Sequence, residues 1–222
     1  MSKTAILLGA TGFIGGLLLE RLIADASYEK IKLFSRSSAH TTATKVEEHL
    51  VDLVNLEAAK DLFFGDEVFC CIGTTAAKTK DKKKYKSIDY GIPVAAAKLA
   101  KQNNINTFIV LSSMGADVSS SVFYSKTKGE MERDVLAQKI PKTFILRPSL
   151  IGGRREEFRL GEKIGKVCMT ALNPFLIGSY KKYKIIHPET IVNCMTVLSI
   201  NPENEKIISS DKIVTIANSI KQ

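Results

Sequence analysis

Histidine is scarce in this chain, three in 222 residues, and the four cysteines, Cys70, Cys71, Cys168 and Cys194, form no CxxC pair. These two shortages exclude the usual zinc-ligand spacings, and four cysteines in a chain this long do not make a disulfide scaffold. The adjacent Cys70 and Cys71 sit in an apolar run and read as buried reduced thiols, with a redox pair as the alternative. Reduced thiols suit a reducing compartment. No uninterrupted apolar run approaches the ~20 residues of a membrane span, and no basic segment precedes a long apolar stretch at the start. The expectation is a cytoplasmic protein without a membrane span. No Pro/Gly/Ser-rich linker and no repeat interrupts the chain, so residues 1–222 read as a single domain. No nucleic-acid reader motif accompanies the net charge of +9, which comes from 32 Lys and Arg against 23 Asp and Glu. A basic surplus of this kind favours anionic small ligands.

What is present is an alternation. Short apolar runs cover Thr4–Leu8, Ile31–Phe34, Val46–Val51, Glu67–Ile72, Thr107–Leu111 and Thr143–Leu146. Continuous hydrophobicity over so few residues suits parallel strands covered on both faces. Between them, Phe13–Ala24, Leu56–Phe63, Tyr85–Gln102 and Ser125–Gln138 repeat apolar residues at three- and four-residue spacing, as helices do. Beyond Arg147-Pro148, helices are expected over Glu156–Leu172 and Pro188–Ser199. A short last strand over Lys206–Ser209 precedes a closing helix. The fold class is therefore α/β: a Rossmann-type doubly wound parallel sheet, a single domain with a short C-terminal extension. Residues 151–222 are expected to cover the crevice on the substrate side.

Gly9-Ala10-Thr11-Gly12-Phe13-Ile14-Gly15 falls where the first strand becomes the first helix. Gly9 allows a tight turn, Gly12 lets a pyrophosphate approach the backbone, and Gly15 lets helix and sheet pack closely. Free N–H groups of Thr11, Gly12, Phe13 and Ile14 at a helix start would face the phosphates. The second strand ends Phe34-Ser35-Arg36 with no carboxylate for a ribose 2′-OH, whereas Arg36 suits a 2′-phosphate. NADP(H) is therefore expected in preference to NAD(H). Asp52-Leu53 falls where an adenine-edge contact would lie. Cys71-Ile72-Gly73-Thr74 closes the fourth strand, where small residues let the backbone pass close to a cofactor ribose.

Tyr124 and Lys128 stand at i and i+4 of one helix, and Ser112-Ser113 ends the strand just before it. Together with the glycine loop, Asp52-Leu53 and Arg147-Pro148-Ser149, these residues resemble the short-chain dehydrogenase/reductase superfamily over nearly the whole chain. Leu111–Asp117, Tyr124 and Lys128-Gly129-Glu130 are most similar to its atypical branch, the Tat-interacting-protein-like NAD(P)-binding oxidoreductases. The resemblance implies that Tyr124 is the proton donor and acceptor. Lys128 would favour its phenolate and hold the nicotinamide ribose, while Ser113 would orient the substrate oxygen. It implies that Pro148 and Ser149 line the nicotinamide carboxamide. Asp89 stands where many relatives carry Asn.

The function so implied is an NADP-dependent oxidoreductase acting on a small carbonyl or alcohol, anionic substrates included, as a monomer or homodimer. Two alternatives remain open: an NADP-binding redox sensor, and a nucleotide-sugar epimerase. The short stretch after Ile151 disfavours the epimerase. The lysines from Lys78 to Lys86 read as a solvated loop or as an attractor of anions. Arg154, Arg155, Arg159, Lys163 and Lys166 on the covering segment read either as a basic cleft rim or as the solvated face of an amphipathic helix.

Overall fold

The computed structural model describes residues 2–75, 77–152 and 184–219. Seven strands, β1 (Lys3–Leu8), β2 (Tyr28–Ser35), β3 (Val46–Leu50), β4 (Glu67–Cys70), β5 (Thr107–Leu111), β6 (Lys142–Arg147) and β7 (Ile207–Ser209), form one sheet in the order 3-2-1-4-5-6-7. Every pairing is parallel. Alternate strand residues feed two cores, because successive side chains point to opposite faces. Ala5, Leu7, Leu33, Phe69, Ile109 and Leu146 enter one. Ile6, Leu8, Phe34, Val68, Val110 and Ile145 enter the other.

The first core is closed by α1 (Phe13–Ala24) and by two C-terminal helices, α5 (Pro188–Ile200) and α6 (Ser210–Asn218). His187 caps α5 at its start. Described residues beyond 184 thus supply an edge strand and one face of the sheet. The second core lies under α3 (Ile92–Gln102), α4 (Phe123–Leu136) and a 3-10 stretch, Leu53–Leu62. Among the described residues no helix is long and apolar enough to cross a membrane.

Two helical expectations take a different form. The segment expected as a regular helix over Leu56–Phe63 is a kinked 3-10 stretch, with non-helical angles at Asn55 and Ala59. Its buried residues Leu53, Leu56 and Ala59 recur every three residues, which matches three residues per turn. The long segment around Tyr85–Gln102 is broken into α2 (Lys82–Lys86), a π-helical turn (Ser87–Gly91) and α3. Pro93 has no N–H for the Asp89 carbonyl four residues back, and its ring crowds that carbonyl, so the helix widens there. The wide turn carries Asp89 into the interior, where it is fully buried. The expected helix over Glu156–Leu172, Cys168 and the cationic residues Arg154 to Lys166 lie outside the described residues.

Candidate functional site

The strand order reverses direction between β1 and β4, and the crevice beyond their C-terminal ends is where open parallel sheets bind ligands. Gly9 leaves β1 with φ of +89°, a left-handed conformation that glycine adopts without strain. A Cβ on Gly9 would stand 2.9 Å from the Cys71 carbonyl group at the end of β4. A Cβ on Gly15 would stand 2.0 Å from the Gly9 oxygen, so α1 can sit this close to the loop only without a side chain there. The loop closes through Gly12 N–H donating to Gly9 O at 2.9 Å. Gly12 caps α1 with no side-chain acceptor, which leaves the first N–H groups of the helix facing the crevice. Thr11 is exposed there, while Phe13 and Ile14 pack into the core beneath.

At the end of β2, Ser35 is buried and its hydroxyl donates to Ser37 O at 2.8 Å, shaping the turn that leaves Arg36 exposed. One oxygen of Asp52 accepts the Val54 N–H at 3.0 Å and caps the 3-10 stretch, and Leu53 is a core residue. Cys70 is buried and its thiol is pushed by burial up to about 11, which disfavours the thiolate a redox pair needs. Cys70, Cys71 and Cys194 are free thiols. Ser149, expected against the nicotinamide, has a hydroxyl engaged on the C-terminal side. It donates to Lys184 O and accepts from Ser210 Oγ at 3.0 Å. Pro148 is buried, and its carbonyl accepts the Met114 N–H at 3.0 Å, fastening the loop after β5.

The two serines ending β5 have separate surroundings. Ser112 donates to Glu132, whose carboxylate also receives Arg147 Nε at 3.0 and 3.1 Å. That network joins β5, α4 and β6. Ser113 Oγ is buried and has no hydrogen-bond partner among the described residues. On α4, Lys128 is buried and its ammonium lies 3.0 Å from Asp89 Oδ1, while Asp89 Oδ2 accepts the Thr74 N–H at 2.8 Å. A Cβ on Gly73 would come within 3.5 Å of Asp89 Oδ1 and 3.9 Å of Lys128 Nζ. The backbone of Gly73 therefore passes directly over the ion pair, within van der Waals reach of both charged groups.

Tyr124, one turn before Lys128, is 40% exposed and forms one wall of a cleft of about 390 Å³. Tyr85 and Phe123 are also walls of it, together with Thr74, Lys80 and Lys82. Tyr85 meets the Phe123 and Tyr124 rings edge-on, with centroids 5.5 and 6.4 Å away. Burial first, then the Asp89 charge and Tyr124, push the Tyr85 phenol well above its ordinary value. Its hydroxyl points to Thr74 O at 3.4 Å. Sequence reasoning missed Tyr85, Phe123 and Glu132. Tyr85 sits inside a lysine run that masks it, and nothing local marks Glu132 as the partner of Arg147.

The glycine loop opens α1 after β1, the Tyr-x-x-x-Lys pair lies on α4, and residues 9–164 match the NAD(P)H-binding family model. The chain belongs to this family. This NAD(P)H-binding protein is 35% identical over 160 residues to "Protein FMP52-1, mitochondrial" of Scheffersomyces stipitis, covering 69% of each chain. It is 30% identical over 227 residues to "Protein FMP52, mitochondrial" of Candida albicans, covering 98% of this chain and 99% of that one. Among solved structures, a short-chain dehydrogenase/reductase superfamily protein from Agrobacterium tumefaciens with bound NAD superposes with a TM-score of 0.70. It is 14% identical, over 92% of this chain and 76% of that one. The ADP-L-glycero-D-manno-heptose-6-epimerase of Helicobacter pylori gives 0.68 at 15% identity, over 98% and 82%. At these identities the structural likeness shows the fold alone.

The mitochondrial relatives correct the expectation of a cytoplasmic protein. That expectation rested on the lack of an apolar secretory segment and of a membrane span. Mitochondrial transit peptides need neither, being amphipathic and arginine-rich. A reducing environment for thiols is also not unique to the cytosol.

Proposed function

We propose that this NAD(P)H-binding protein is a mitochondrial, NADP-dependent reductase of small carbonyl compounds. One observation carries the reading: Ser113 Oγ is buried and unpartnered among the described residues just past the end of β5, where the Leu111 carbonyl lies 3.5 Å from Lys128 Nζ of the Lys128–Asp89 pair. A buried hydroxyl without a partner costs free energy, and a substrate oxygen relieves it. The glycine loop and the open α1 terminus suit a pyrophosphate, and Arg36, exposed at the end of β2 with no ion pair among the described residues, suits a 2′-phosphate. The close passage of the Gly73 backbone suits a ribose beside Lys128. The dihydronicotinamide, when bound, supplies a hydride. Tyr124 gives the proton to the carbonyl oxygen, Ser113 holds that oxygen by a hydrogen bond, and Lys128, fixed by Asp89, holds the ribose hydroxyls. Burial and the Asp89 charge hold the Tyr85 proton more tightly than that of a free phenol, and its hydroxyl is turned to Thr74 O, so Tyr124 is the donor in this reading.

The test is loss of NADPH absorbance with a panel of aldehydes and ketones, followed by the Tyr124→Phe variant on any substrate found. The variant is expected to retain cofactor binding and to lose about 10²–10⁴-fold in turnover, the usual contribution of general acid catalysis. Undiminished turnover would remove Tyr124 from the mechanism.

A further inference from the structure

The cleft beside Tyr124 joins three kinds of group. The Tyr124 phenol, the Tyr85 and Phe123 rings, and the cations of Lys80 and Lys82 all line it. The segment that supplies these cations holds six lysines between residues 78 and 86 and one acid, Asp81. Asp81 is committed to capping α2, since its Oδ1 accepts the Lys84 N–H at 2.7 Å. Lys86 is compensated from α4, its ammonium 2.6 Å from Glu130. Lys80 and Lys82 have no carboxylate partner among the described residues. The Lys82 ammonium lies 5.5 Å from the Phe123 ring centroid, which holds it against the cleft wall. Two lining lysines thus carry positive charge with no carboxylate partner among the described residues. Its volume, about 390 Å³, falls within the range of small-molecule sites.

We propose that this cleft selects carbonyl compounds with a flat apolar body and an anionic far end, such as an aryl aldehyde carrying a carboxylate. The proposal rests on the reductase reading for the orientation of the substrate. The carbonyl lies at Tyr124, the body packs against the Tyr85 and Phe123 rings that line the cleft, and the carboxylate meets Lys80 and Lys82. Reduction to the alcohol takes up one hydride, supplied by the dihydronicotinamide, which is oxidised, and one proton, supplied by Tyr124.

Binding and turnover are measured separately so that the two readings fail separately. With the oxidised cofactor at saturation, 4-carboxybenzaldehyde and methyl 4-formylbenzoate are titrated by calorimetry. The carboxylate is expected to bind about tenfold or more tightly, as a charged hydrogen bond at a half-exposed rim allows. The advantage should shrink as ionic strength rises. The pair Lys80→Ala with Lys82→Ala removes the advantage, and Lys80→Arg with Lys82→Arg retains it. Lys83→Ala, an exposed lysine of the same run that does not line the cleft, retains it too. Circular dichroism checks that the variants are folded. Equal affinity for the two aldehydes, binding of neither, or an equal loss in Lys83→Ala overturns the proposal. Discriminating binding without turnover of either aldehyde keeps the anion site and sinks the reductase. Turnover without discrimination does the reverse.

Discussion

At the residue scale, Ser112 and Ser113 show how one position along a strand separates structure from chemistry. Neighbouring side chains on β5 point to opposite sides, so identical hydroxyls meet different surroundings. Ser112 is absorbed by Glu132, and Ser113 Oγ is buried without a partner among the described residues. Ser112→Ala is expected to leave Glu132 short of a donor and to destabilise the fold by about 1–3 kcal/mol. Ser113→Ala should leave the melting temperature near that of the native protein and lower kcat on a confirmed carbonyl substrate. Thermal denaturation and steady-state rates on both variants check the pair. A loss of stability in Ser113→Ala with rate unchanged would reverse the assignment. The sequence shows both serines at the strand end. It does not show which one is spoken for, because Glu132 lies twenty residues away and only the packing of α4 on β5 brings it near.

At the scale of elements, Glu67 is an acid at the start of β4 that holds three elements together. It is buried, accepts from the Tyr28 hydroxyl of β2, and lies 3.8 Å from Lys3 Nζ of β1. Tyr28 Oη also reaches Ser199 of α5 at 3.2 Å. Desolvation raises the Glu67 carboxyl above its ordinary 4.5, against the lowering effect of Tyr28, Lys3 and Ser199. A raised folded-state pKa means that the native state holds the proton where the unfolded chain has released it. Stability from this group is therefore complete below pH 4.5 and is lost as the pH rises through the folded value. Glu67→Gln, neutral throughout, is expected to flatten that descending limb. Melting temperatures of both proteins from pH 4 upward decide it; parallel curves would show that Glu67 carries no such linkage. The π-helical turn over Ser87–Gly91 is the complementary lesson. Pro93 was visible in the sequence, and its effect on the Asp89 carbonyl follows from elementary sterics. The burial of Asp89 against Lys128 needed α4 in place.

At the scale of the whole molecule, a ligand that binds only the native state stabilises it by mass action. Cofactor at about a hundred times its dissociation constant adds ~2.7 kcal/mol. For a domain of this size that raises the melting temperature by roughly 5–10 °C. NADPH is expected to raise it further than NADH at equal concentration, because Arg36 is exposed at the end of β2 with no acidic residue there to favour a free ribose hydroxyl. Arg36→Ala should bring the two shifts together. Equal shifts in the native protein, or a larger one with NADH, would overturn the preference for NADP(H).

The sequence by itself determined the sheet and its ligand end. Continuous apolar runs can be buried only as covered parallel strands, and glycines at 9, 12 and 15 answer local demands of backbone and phosphate that no distant residue alters. It also determined that Tyr124 and Lys128 share a helix face, since i and i+4 spacing is a property of the helix alone. Only the tertiary structure decided which groups were already engaged. Lys128 lies on Asp89, Ser149 is held by Ser210 and Lys184, and Ser112 by Glu132. It also decided that Tyr85 and Phe123 share a cleft with Tyr124. Hydrogen bonds reach only about 3 Å and close ion pairs about 4 Å. Which polar groups find one another depends on how helices far apart in the chain settle on the two faces of the sheet, and no local pattern of residues records that.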